Sequence, residues 1–215
     1  MINYDWRGVK ADGHCFSRPM TGKGAMAGRP RKDDTKLDIA LIVETAWLLV
    51  DRDGLDALTS RGLAAELDVK GPALFWHIRS MQRLRSLMIE RVLLGTIGVP
   101  GTGQAWYEWL LNVGREQRRQ MLSHRDSGRI AASAEPTETM REIVIPAMME
   151  PLIRAGFAEP DAFAASGTIA SFVLGWVIYE QNVETGRYVA SVTEPDRAFL
   201  FGLSAIVEGL RTKIA

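Results

Sequence analysis

A proline one residue after a glycine, in the stretch VKGPALFWHIRS from Val69 to Ser80, restricts this chain more than any other feature. Pro72 has a fixed φ and no backbone N–H, so it suits the first turn of a helix, and Gly71 ahead of it admits a close neighbour. A helix therefore starts near Gly71, with Leu74 and Ile78 pointing inward. Ser80 can cap the next helix, from about Met81 to Leu94. Upstream, Thr59 or Ser60 can cap a short helix with the apolar face Leu63, Ala64 and Leu67, ending about Asp68. Before it, Leu37, Ala40, Leu41, Val43, Ala46, Trp47 and Val50 recur at helical spacing until Asp53-Gly54 stops the run. Two short helices joined by three or four residues, the second with an exposed start, have the geometry of a helix-turn-helix.

The second helix of such a pair enters a major groove. Gly71 and Ala73 are small enough for close approach, Phe75 and Trp76 offer apolar contact, and Lys70, His77 and Arg79 can meet phosphates. Taken alone, Trp76 is expected in the core, because large apolar residues mostly lie inside. Lysine plus arginine number 26 and aspartate plus glutamate 26, so any electrostatic footprint for nucleic acid must be local. Residues 1–34 read as a flexible arm ending in the basic cluster GRPRK, which can add minor-groove or phosphate contacts or stay solvated. Met20 and Met26 leave the translation start open. Cys15 is the single cysteine, which excludes an internal disulfide and a multi-cysteine zinc site. The N-terminus has no secretory pattern, and the longest apolar run, Ile169 to Tyr179, is too short to span a bilayer. The chain is read as cytoplasmic, with no membrane partner.

The run LTSRGLAAELDVKGPALFWHIRSMQRL, Leu58 to Leu84, resembles the DNA-binding domain of the TetR family of transcriptional regulators. AWYEWL (Ala105 to Leu110), LSHRDSGRI (Leu122 to Ile130), PTE (Pro136 to Glu138), LGWV (Leu174 to Val177) and FLFGL (Phe199 to Leu203) resemble the C-terminal domain of that family's tetracycline-repressor branch. The likeness covers nearly everything after about residue 35. It implies an all-α homodimer: a helix-turn-helix head over residues 35–82 and an effector-binding, dimerising body over residues 83–215. It also implies that Ser60, Arg61, Lys70, Gly71, Pro72, Ala73, Phe75, His77 and Met81 face DNA, to which the residues themselves add Arg79. The branch has glutamine, threonine, tyrosine and lysine where this chain has Gly71, Ala73, Phe75 and Met81, so its operator must differ. Asp68 replaces a turn glycine, which aspartate tolerates because it accepts left-handed backbone angles.

In the body, the positions that match the branch's drug and magnesium ligands are Ile97, Val113, Gln117, Ala131, Ala134, Ser171 and Tyr179. Most of the polar chemistry has gone, and a divalent cation prefers oxygen donors. A more apolar effector is expected, with no metal and no cofactor. By analogy of position, its candidate lining is Trp106, Trp109, Val113, Gln117, Met140, Met148, Phe172, Trp176 and Tyr179, although Met and Trp at helical spacing also build ordinary cores. Ser123, His124 and Asp126 are the residue types of a hydrolase triad, but neighbours at a helix end do not align as one, and a local hydrogen-bonding cluster is expected instead. GTGQAW, Gly101 to Trp106, lacks the strand and lysine of a phosphate loop and reads as a plain loop. The helix from about Phe163 to Asn182 and the last helix, about Asp196 to Ile214, are expected to pair with a second copy, using Leu203 and Val207 and the small Gly175 and Gly202. The combined reading is a ligand-responsive repressor of a palindromic operator. A sensor acting through a protein partner and a helical enzyme are the alternatives, and for the enzyme the chain offers no assembled nucleophile, metal site or cofactor fingerprint.

Overall fold

The computed structural model describes residues 37–98 and 100–213. The arm assigned to residues 1–34 lies outside them. Among the described residues there are ten α-helices and no strand. Helix α1, Ile39–Asp53, begins where Asp38 accepts the N–H of Leu41 at 2.8 Å, and stops at Gly54, whose φ of 87° lets its N–H turn back to Val50 O. A short 3₁₀ turn, Leu55–Ala57, leads to α2, Ser60–Glu66. Its cap is Thr59, which accepts the N–H of Gly62 at 3.0 Å. Asp68 takes a φ of 54° in the turn that follows, as the sequence expectation allowed.

Helix α3, Gly71–Ile78, starts at the Gly-Pro pair and buries Leu74 and Ile78 completely. Trp76 does not join them. It is 78% exposed, which overturns the expectation of a core tryptophan. Between α3 and α4 (Met81–Leu94), Arg79 adopts φ 64°, ψ −42°, and Ser80 N bonds to Ile78 O at 2.8 Å. This is a γ-turn of the rare, strained hand, carried by a non-glycine residue. Ser80 then caps α4 by accepting the N–H of Arg83 at 3.0 Å.

The body follows as α5 (Trp106–Leu122), α6 (Ser127–Ser133), a π-turn (Met140–Val144) running into α7 (Ile145–Arg154), α8 (Glu159–Gln181), α9 (Val183–Val192) and α10 (Pro195–Arg211). The π-turn has a local cause. Pro146 lacks an N–H, and Ile145 N reaches back five residues to Met140 O. Helix α8 is the central pillar, packing against α5, α6, α7 and α10. Two glycines make these contacts close: a Cβ on Gly114 would stand 3.0 Å from the Leu203 methyls, and one on Gly202 would stand 2.7 Å from the Phe172 ring. Arg118, 12% exposed, clamps α5 to α8 through Glu180 and to α10 through Asp196, each at 2.6 Å, with its guanidinium 4.7 Å from the Phe199 centroid.

Candidate DNA-binding head and effector body

On α3 and its approaches, Lys70, Pro72, Ala73, Phe75, Trp76 and Arg79 are exposed, as is Arg61 in the first turn of α2. Ser60, Gly71, His77 and Met81 are half-buried. The ten DNA-facing candidates thus fall on the start of α2, on α3, on the turns that bracket it and, for Met81, on the first residue of α4. A Cβ on Gly71 would meet nothing within 4 Å, so packing within the protomer does not require a glycine there. The small size of Gly71 and Ala73 leaves room outside the protein. Arg83, exposed in the first turn of α4, is a further cation that the sequence reading did not single out.

The head is tied to the body by a hydrogen-bonded joint. In the loop between α5 and α6, His124 stacks on Trp47 of α1 with ring centroids 4.1 Å apart, and its Nδ1 lies 2.9 Å from Asp51 Oδ2. The Arg125 N–H donates to the other Asp51 oxygen at 2.8 Å, and the Leu55 N–H donates to Asp126 at 2.9 Å. Burial pushes the Asp126 carboxyl up, but the Leu55 N–H, Arg129 and Arg125 together outweigh it and hold the group below its ordinary value. From the other side, Gln181 at the end of α8 donates to His124 O at 2.7 Å and to Ser127 Oγ, and accepts from Gly128 N. Among the described residues Ser123 Oγ bonds only to Gln120 O, so Ser123, His124 and Asp126 form a helix-boundary cluster and not a triad.

Helix α4 makes a second connection. Gln82 Nε2 donates to Ser133 O, Ser86 Oγ accepts from Glu135 N at 2.9 Å, and Glu90 accepts from Thr137 Oγ1. Thr137 in turn accepts Met140 N at the π-turn. One face of α4 is thereby bonded to the last residue of α6 and to the segment between α6 and α7.

The effector candidates are dispersed in exposure. Trp109, Val113, Gln117, Met140 and Met148 are buried, Trp106, Phe172 and Trp176 half-buried, and Tyr179 is 55% exposed. Trp109 has a structural duty, donating its indole N–H to Gly98 O at 2.6 Å. A surface cleft of about 470 Å³ between the 100–104 loop and the end of α7 is lined by Trp106, Pro151 and Arg154, and takes in none of the other eight. A second, also about 470 Å³, lies along α7 at Pro146, Met149 and Ile153. Val113, Ala131 and Ala134 carry no side-chain donor atom, so the residues present do not fit a magnesium-bridged ligand.

Residues 99–188 match the family model described as tetracyclin repressor-like, C-terminal domain. The tetracycline repressor protein class A from transposon 1721 of Escherichia coli is 33% identical over 198 residues, spanning 82% of this chain and 91% of its own length. Among solved structures, a single-substitution variant of TetR from Acinetobacter baumannii AYE in complex with minocycline superposes with a TM-score of 0.73 at 28% identity, covering 84% of this chain and 99% of that one. ActR of Streptomyces coelicolor in complex with actinorhodin gives 0.75 at 25% identity, with 84% and 98% covered.

Proposed function

The chain belongs to the TetR family of transcriptional regulators, and from that premise we propose that it represses a palindromic operator as a homodimer and releases it when a largely apolar small molecule enters the body. The observation that carries this reading is the pairing of an exposed α3, presenting Ala73, Phe75 and Trp76 outward, with a head bonded to the body through Asp51, Leu55 and α4. An effector that favours a body shape incompatible with these bonds must lower DNA affinity, because the two binding events are thermodynamically linked.

Dimerisation is supported by surface that one protomer leaves in water. Phe163 and Tyr179 on α8, Tyr188 and Val192 on α9, and Phe201 on α10 are 55–79% exposed. By length and composition α8 could cross a bilayer, but it packs against α5, α6, α7 and α10 within the protomer, and a second copy of the chain suits the rest of its apolar face better. Leu203 and Val207, expected at this interface from sequence, are instead 0% and 1% exposed within the protomer. Gly202 likewise receives Phe172 of its own chain, whereas Gly175 faces open space.

A magnesium–tetracycline complex does not suit this body. Without donors at Val113, Ala131 and Ala134, it would leave several buried polar groups unpaired, at roughly 1–3 kcal/mol each. A mobility-shift assay with DNA flanking the chain's own gene tests the repressor reading, and absence of a shifted band with that DNA refutes it. Calorimetry with tetracycline, with and without magnesium, tests the pocket: tight, metal-dependent binding would show that the mapped positions are wrong.

A further inference from the structure

The start of α6 departs from the usual way a helix begins. An aspartate at the N-cap ordinarily has an extended backbone and accepts the N–H two or three residues ahead. Asp126 does neither: its φ of 56° and ψ of 13° are left-handed, and its side chain makes no cap bond. Its carboxylate serves the Leu55 N–H in the head instead. The N–H it forgoes, that of Gly128, is taken by Gln181 Oε1 at 2.9 Å. A residue of α8, 53 positions further along the chain, thus caps α6 in place of the helix's own aspartate.

Gln181 is firmly placed for this duty. Arg118 holds Glu180, the residue before it, and Gly128 lies against Ile178, where a Cβ would stand 2.9 Å from Cγ1. The other end of the Gln181 amide donates to His124 O at 2.7 Å and to Ser127 Oγ at 3.1 Å. The buried Ser127 hydroxyl donates onward to Met121 O at 2.6 Å. With these groups satisfied from the α8 side, Asp126 is left for Leu55 and the Arg125 N–H for Asp51. Two residues before Gln181, Tyr179 is 55% exposed on the surface of α8.

Resting on the repressor reading above, which gives that surface to a second copy, we propose that Gln181 is a positioning residue. By capping α6 it releases Asp126 to the head, so the dimer helix α8 sets the separation of the two α3 helices along a route that does not pass through α4. Without it, Gly128 and Leu55 compete for one carboxylate, and the head loses its fixed distance from α8.

Gln181→Met keeps the length of the side chain and removes both ends of the amide. Hydrogen exchange on the full-length protein should show the Leu55 N–H exchanging about tenfold faster in this variant, the worth of one such bond. The Glu135 N–H, bonded to Ser86 of α4, should be unchanged. Gln181→Glu retains an acceptor for Gly128 and should keep Leu55 protected. On DNA flanking the chain's own gene, the wild type should prefer the native half-site spacing to probes lengthened or shortened by a base pair, and Gln181→Met should reduce that preference roughly threefold or more. A mere loss of folded protein would lower every affinity alike and leave the preference intact. Leu55 protection unchanged in Gln181→Met, or lost in Gln181→Glu, overturns the inference, as does an unaltered spacing preference in a folded, dimeric Gln181→Met. If Gln181→Met does not fold, Gln181→Glu decides alone. If the wild type binds none of the probes, the repressor reading falls and takes the spacing role with it, while exchange at Leu55 still decides whether Gln181 frees Asp126.

Discussion

Replacing Asp51 with alanine should loosen the head from the body by an amount the structure lets one work out. Asp51 accepts from Arg125 N at 2.8 Å and pairs with His124 Nδ1 at 2.9 Å. Each such bond is worth about 0.5–1.5 kcal/mol net. The ionic component adds little, because the Asp51 and His124 side chains are 36% and 27% exposed and surface pairs are screened. Asp51→Ala should therefore cost about 1–3 kcal/mol in denaturant unfolding. His124→Phe removes the ring nitrogen while keeping an aromatic face for Trp47, so a double-mutant cycle isolates the pair, with a coupling of about 0.5–1.5 kcal/mol expected. If the joint transmits effector binding, Asp51→Ala should also make operator release shallower at saturating effector. A coupling within about 0.3 kcal/mol of zero would refute the joint as an energetic connection.

Arg61→Ala and Lys70→Ala should each weaken binding across related operators and reduce the slope of log affinity against log salt by roughly one unit; an unchanged slope in both would remove them from the phosphate contacts. Phe201→Glu, at a side chain 79% exposed, should give a folded monomer by ultracentrifugation, and a stable dimer that still binds operator would exclude this interface. Leu203→Ala should instead lower unfolding stability by about 2–5 kcal/mol, since it opens a cavity against Gly114. Asp126 has a folded pKa below its ordinary 3.8, so its contribution is complete above that value and lost as pH falls through the lower folded value. Acid unfolding of Asp126→Asn should accordingly show a weaker pH dependence below about pH 4 than the wild type.

The head was legible because its signals are local. Thr59, Pro72 and Ser80 each act within one turn of where they stand, and all three mark helix starts in the structure. Trp76 misled because the burial rule counts residue types and ignores direction: with Leu74 and Ile78 inward, a residue two along from Leu74 is rotated about 200° from it. The apolar stripe of α10 was visible too, but a stripe does not say whose core it enters, and Leu203 and Val207 enter their own. The joint was out of reach. Asp51 and His124 are 73 residues apart, and neither carries any local mark of the other. The effector body was harder still, because ligand-facing and core side chains are the same types at the same spacing.

The three bonds from α4 to the end of α6 and the segment after it have a geometric consequence. Their rungs on α4, Gln82, Ser86 and Glu90, come every fourth residue, while those on the facing segment, Ser133, Glu135 and Thr137, come every second. Four helical residues advance about 6 Å. The facing stretch leaves the helical conformation at Ala134 (φ −73°, ψ 143°), so Glu135 and Thr137 reach successive turns of α4. A displacement of an ångström or two along the axis would lengthen all three contacts together, so the helix and this stretch lose these bonds as a set and not one at a time.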